Sequence, residues 1–184
     1  MLVHIFLLTI IINLIESDGD INQAIEFTSR FLIRRNDSNF LEYGGSRYYF
    51  NTDFQGNFFA AYKFCKSRKM DLVSIETEAE NDRIKQHLIE KGLSSAYSIQ
   101  FWTAATNTLQ EGKWMWLSTG KDVKYFNWGF GEPLGIFVPN FENCIVIRLD
   151  KQRGITWHDL NCLLSGYAIC EDSLSCTCSL SKVY

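Results

Sequence analysis

Apolar residues recur along this chain first with a helical period and then with a strand period. In the run NFFAAYKFCKSR, Phe58, Ala61, Tyr62 and Cys65 share one helical face, with Lys63, Lys66 and Arg68 elsewhere. This predicts a helix capped by Asn57 and turns Cys65 towards the core. Thr77-Glu78-Ala79-Glu80 has the spacing of a capping box. It predicts a second helix with Ile84 and Leu88 inward, ending at Lys91-Gly92; His87 lies on it and is given no role. Arg47-Tyr48-Tyr49-Phe50 and Leu72-Val73-Ser74-Ile75 read as strands. From Phe101 onward, FWTAATN, GKWMWL, YFNWGF, CIVIRL, GITW and YAIC are short strand-like runs separated by Gly, Asn and Asp. Two helices followed by short strands and long loops predict an α+β domain. The stretch from Leu117 to Asn143 has little regular pattern, and loops of that length inside a compact domain are usually functional.

The amino-terminal end follows neither period. Leu2 to Ile15 is almost wholly apolar but shorter than the ~20 residues a membrane span needs. Residues 1–17 read as a secretory signal peptide, against the alternative of a buried element in a cytosolic fold. Residues 18–42 are polar, with Ile21, Ile25, Thr28 and Leu32 at helical spacing. They form a short neck helix or a loosely ordered leader before a folded region that starts at Tyr43. Six cysteines, at positions 65, 144, 162, 170, 176 and 178, suit disulfides in an extracellular chain. Metal binding is the competing reading, but there is no C-x-x-C pair. Asn36-Asp37-Ser38 is an acceptor sequence for N-glycosylation. A net charge of -3 with no basic block gives no reason to expect nucleic acid or an anionic membrane surface as partner. No H-E-x-x-H, G-x-S-x-G or glycine-rich phosphate loop points to an enzyme.

Several of these runs, taken in order, resemble the C-type lectin-like domain. Phe101-Trp102-Thr103-Ala104-Ala105 sits where that family has its Trp-Ile-Gly-Leu core strand, in the Trp-Thr form common in secreted, single-domain arthropod members. Trp114-Met115-Trp116 matches the W-x-W element. Phe126-Asn127-Trp128 precedes Gly131-Glu132-Pro133, Trp157-His158-Asp159 occupies the Trp-Asn-Asp position, and Tyr167-Ala168-Ile169-Cys170-Glu171 closes the domain. The resemblance implies a lectin-like domain over 43–171 and a cysteine-containing tail over 172–184. It implies disulfides Cys65–Cys170 and Cys144–Cys162, leaving Cys176 and Cys178 for a disulfide-linked dimer. It also gives the tryptophans a role in the core, with Trp128 the best placed for partial exposure.

In sugar-binding members of the family, a calcium ion is held by Glu-Pro-Asn or Gln-Pro-Asp, a following Glu, and the Asn and Asp of Trp-Asn-Asp. The proline there is cis. Carried over, Glu132, Glu142 and Asp159 remain, while Leu134 and His158 replace the two amides. The resemblance therefore implies a carbohydrate site at Glu132, Glu142, His158 and Asp159, and a calcium site at the three acids with reduced affinity. Leu134 cannot donate a hydrogen bond to a sugar hydroxyl, and an imidazole does not suit calcium. Changing both positions to Asn is expected to recover calcium-dependent sugar binding. The expected partners are glycans or glycoproteins outside the cell, as in pathogen recognition or a secreted fluid. The alternative is a calcium-independent protein-binding module that keeps the scaffold alone, its three acids separately solvated.

Overall fold

The computed structural model describes residues 39–93, 99–134, 142–150 and 154–173. The signal-peptide reading, the neck, Asn36, Cys176 and Cys178 fall outside them. Alternation of inward and outward residues builds one sheet from β1 (Phe40–Tyr43), β2 (Ser46–Gly56), β3 (Asp71–Leu72), β4 (Gln100–Thr106), β5 (Met115–Trp116), β6 (Cys144–Asp150), β7 (Gly154–Leu160) and β8 (Gly166–Ser173). Its main path runs β1-β2-β8-β4-β6-β7, with β3 on β8 and β5 on β4. The continuous apolar run of β4 lies at the centre, buried from Phe101 to Thr106. β8 lies parallel to it and β6 antiparallel. With two helices on such a sheet, the α+β class expected from the pattern is the one observed.

Both helices start as their caps dictate. Helix α1 (Phe58–Ser67) opens at Asn57, whose side chain accepts from Ala60 N, and buries Phe58, Ala61 and Cys65. The Cys65–Cys170 bridge joins it to β8, and Cys144–Cys162 ties the start of β6 to the segment after β7. Helix α2 (Glu78–Glu90) opens at Thr77 and ends at Gly92, whose positive φ of 70° suits a residue without Cβ. The capping box is shifted by one residue: Glu80 Oε2 accepts from Glu76 N, and its Oε1 accepts the Tyr48 hydroxyl. One carboxylate thereby fastens α2 to β2.

Three expectations change. The sheet takes in Phe40, Leu41 and Glu42, which the polar pattern had placed in the leader; buried Leu41 anchors them opposite Tyr48. YFNWGF forms no strand, because only Trp128 meets a partner, in an isolated parallel bridge to Trp157. Trp114 is half-buried, unlike Trp102, Trp116 and Trp157, which are enclosed.

His87, given no role from the sequence, is buried against the Phe50 ring at 4.4 Å, with Nε2 lacking a hydrogen-bond partner. Burial, assisted by Lys91, pushes its pKa down to about 4. Between pH 6.5 and 4 the unfolded chain binds a proton at His87 that the folded chain refuses. Stability therefore falls as pH drops through that window and is untouched above it. The loss approaches about 3 kcal/mol at pH 4. Melting curves across this range are expected to be flatter for His87→Leu than for the native chain; equal slopes would assign the acid sensitivity to another group.

Candidate functional site

The loop carrying Glu132 lies along the outer edge of β7, the last strand of the sheet. It is tied there by two backbone hydrogen bonds and one side-chain amide: Trp157 N donates to Asn127 O at 2.8 Å, Gly129 N donates to Trp157 O at 2.9 Å, and Asn127 Nδ2 donates to Ile155 O at 2.7 Å. Gly129 is required by space. A Cβ there would stand 2.8 Å from His158 Cε1 and 2.9 Å from Nε2. The loop then turns back, with Glu132 N donating to Gly129 O, and passes through a cis Glu132–Pro133 peptide. Leu134 N follows and donates to Asp159 Oδ1 at 2.8 Å.

These ties bring most of the expected residues together. Glu132 Oε1 lies 2.5 Å from His158 Nδ1, and His158 Nε2 lies 3.0 Å from Thr156 Oγ1. Asp159 is 2 % exposed, while Leu134, at 46 %, turns its side chain outward. Among the described residues Glu142 has no side-chain hydrogen-bond partner, but it lies within the electrostatic reach of Asp159 and Arg148. Burial and Asp159 raise its pKa, and Arg148 lowers it.

Arg148 is the residue that sequence reasoning missed. It stands on β6, opposite Gln100 of β4 on one side and Thr156 of β7 on the other. Its Nε and Nη2 donate to Gln100 Oε1 at 3.3 and 3.2 Å, and its Nη1 lies 3.3 Å from His158 Nδ1. Gln100 is held in turn, donating through Nε2 to Ser165 O at 2.7 Å. The only signal available beforehand was strand register: in a CIVIRL–GITWHDL hairpin, Arg148 falls diagonal to His158.

Proton positions follow from the partners. A guanidinium only donates, so Nδ1 meets Arg148 as an acceptor, and Nε2 carries the ring proton towards Thr156. Burial, with Arg148, pushes the His158 pKa down to about 4, which keeps the ring neutral. Burial and then Asp159 push Glu132 up to about 7, with Arg148 opposing and Glu142 adding. Glu132 Oε1 stands against the same ring nitrogen that faces Arg148. Its other oxygen, Oε2, is buried without a hydrogen-bond partner.

Calcium takes six to eight oxygens, usually including several carboxylates. This arrangement does not supply them. Glu132 Oε1 is engaged by His158, Asp159 Oδ1 by a backbone N–H, and Leu134 has no side-chain oxygen. Among the described residues, no group of three or more His, Cys, Asp or Glu is disposed to hold a metal ion. As arranged, the residues fall short of a full calcium shell.

Beside this cluster lies an aromatic surface. Phe126 stacks on Trp128 with centroids 5.4 Å apart, and Trp128 tilts against Trp114 at 5.7 Å. Phe126 and Phe130 are exposed.

Two helices on this sheet, two bridges at these places and a cis-proline loop laid against the last hairpin define a lectin-type binding domain. Residues 55–172 match the Lectin C-type domain, and the chain belongs to that family. It is 28% identical over 130 residues to C-type lectin mosGCTL-7 of Aedes aegypti, covering 69% of this chain and 84% of that protein. Salivary C-type lectin 1 of Aedes albopictus is 24% identical over 117 residues, covering 62% and 75%. Among solved structures, the mouse scavenger receptor C-type lectin carbohydrate-recognition domain superposes with a TM-score of 0.60 at 27% identity, covering 73% of this chain and 94% of that one. The family is one of binding proteins, and the chain is not an enzyme. No described helix is long and apolar enough to cross a membrane.

Proposed function

We propose that this chain is an extracellular glycan-binding protein whose calcium site is degenerate. Sugar hydroxyls would be met at Glu132, Glu142, His158 and Asp159, with calcium contributing weakly. The observation that carries this reading is the Glu132–His158–Arg148 network. It keeps hydrogen-bonding groups gathered at the family's ligand loop while engaging oxygens that calcium would need. Secretion is supported by the apolar amino-terminal stretch, by two disulfides and by similarity to a lectin named as salivary. A dimer through Cys176 or Cys178 and a glycan on Asn36 belong to the same reading; a non-reducing gel and glycosidase treatment test them.

A glycan array probed with and without a chelator is the direct test. Binding to a subset of glycans, reduced only modestly by chelation, is the expected result. A blank array in both conditions removes the reading. The second reading, a protein-binding module, then stands, and the exposed Phe126, Phe130 and Leu134 beside the cluster favour it. Calorimetry adds a sharper check: the native chain should bind calcium no better than the millimolar range of weak extracellular sites. Micromolar binding contradicts the proposed degeneracy.

A further inference from the structure

No long basic run stands out along the chain, yet one helix gathers a patch. From Phe54 to Met70 the sequence has four basic residues, Lys63, Lys66, Arg68 and Lys69, and no acid. All four lie at the carboxyl end of α1 and are exposed. Cations there complement the helix dipole, and Lys66 is further paired with Asp71. Among the described residues no carboxylate pairs with Lys63, Arg68 or Lys69. Two features go beyond a dipole role. The Arg68 guanidinium stands over the Phe64 ring, 3.8 Å from its centre, and 5.4 Å from that of Tyr49. The rings fix its plane, and its N–H groups meet no acceptor among the described residues. Lys69 is the second feature. With φ at 57° it is the only described residue other than glycine in the left-handed region. The helix ends through it, Lys69 N donating to Lys66 O at 3.0 Å and Met70 N to Cys65 O at 3.1 Å. Glycine is the residue that suits this position. A lysine there carries a backbone cost, and such a cost points to use of the side chain.

We propose that the carboxyl end of α1 is a second binding surface, one that takes a sulfated polysaccharide along Lys63, Arg68 and Lys69. Clustered basic side chains attract such polyanions. Arg68 meets one sulfate through paired N–H groups, and the lysines act as point charges. From Lys63 to Lys69 the helix rises about 9 Å, which calls for a ligand with repeated anionic groups. The same geometry argues against other polyanions. Nucleic acid stacks bases on free ring faces, but Arg68 and Phe54 both lie against Phe64. A membrane-surface helix presents its apolar side to lipid, but α1 buries Phe58, Ala61 and Cys65 in the domain. The surface is also separate from the loop site: α1 is bridged to β8, whereas the loop lies on β7 at the end of the sheet.

The test passes the full-length chain over immobilised heparin at a series of salt concentrations, with and without chelator. The native chain should bind at physiological salt, equally in both conditions. Arg68→Gln and Lys69→Gly should each weaken binding by about 3-fold or more and lower the slope of log affinity against log salt by about 0.7 to 0.9. Lys113→Gln, which removes an exposed lysine elsewhere, should change neither. Lys69→Gly separates the two roles: its melting temperature should hold or rise while binding falls. No heparin binding by the native chain overturns the proposal. Unchanged binding by either folded variant does the same, as does an equal loss from Lys113→Gln. If Arg68→Gln does not fold, Lys69→Gly decides. Phosphatidylserine vesicles and a single-stranded oligonucleotide are run alongside, and affinity for either matching that for heparin refutes a polysaccharide ligand. Loss of heparin binding on chelation would place the ligand at the loop and refute the second surface. A blank array of neutral glycans bears only on the loop site.

Discussion

Replacing Cys65 and Cys170 together by alanine lowers the unfolding free energy by about 4 to 5 kcal/mol. The bridge spans 105 residues and joins the first helix to the last strand. Cutting it returns to the unfolded chain the freedom of nearly the whole domain, and for a loop of ~100 residues this freedom alone is worth about 4.7 kcal/mol. Both residues are fully buried, so the vacated sulfur positions add a packing defect. The bridge between Cys144 and Cys162 spans only 18 residues, and its removal costs closer to about 3 kcal/mol. That bridge fixes the start of β6, two residues from Glu142, so ligand binding should suffer beyond its effect on stability. Denaturant midpoints for the two paired variants, at equal m-value, measure the difference. Equal losses would mean that chain entropy does not govern these bridges.

Trp157→Ala has a comparable effect, about 4 kcal/mol, within the range for deleting a large enclosed aromatic side chain. Trp157 has no solvent exposure and packs edge-on against Trp116 and Tyr125. Its indole N–H donates to Asn81 Oδ1 at 3.0 Å, the tie between α2 and β7. Alanine leaves a cavity and a buried amide oxygen without its donor. Trp157→Phe keeps most of the apolar body and should lose about 1 to 3 kcal/mol, chiefly from the unsatisfied Asn81. Thermal or urea unfolding of the two variants separates packing from hydrogen bonding. A phenylalanine variant as unstable as the alanine variant would assign the loss to the hydrogen bond instead.

The architecture was readable because its determinants are local and repeated. Asn57 and Thr77 announce their helices, and the apolar faces at Phe58, Ala61, Cys65, Ile84 and Leu88 are the ones buried. The ordered tryptophans and cysteines did the rest through family resemblance. What escaped depends on distant partners. Phe40 to Glu42 close a stretch that is polar overall and become a strand only because β2 offers an edge. Glu80 reads as half of a capping box, yet its second oxygen belongs to Tyr48, 32 positions earlier.

The candidate site divides along the same line. Glu132, His158 and Asp159 lie in short motifs and were nameable in advance; the structure joins Glu132 to His158 and ties Asp159 to the same loop. Arg148 belongs to no motif. Its place follows from the pairing of β6 with β4 and β7, and its contact with the site from the His158 ring that the hairpin brings near it. Sequence spacing encodes residues that are adjacent along the chain far better than a contact made across a sheet.

The attachment of the loop to β7 has a consequence for assembly. A terminal strand offers unpaired N–H and C=O groups to any extended chain that approaches, which is how sheets recruit one another into aggregates. On β7 the outward groups of Trp157 and the carbonyl of Ile155 are already taken by Asn127 and Gly129. The loop that carries Glu132 is therefore also a guard on the sheet's last edge. Damage that peels it away removes the site and uncovers a sticky strand in one step, so in this protein loss of binding and onset of self-association should travel together.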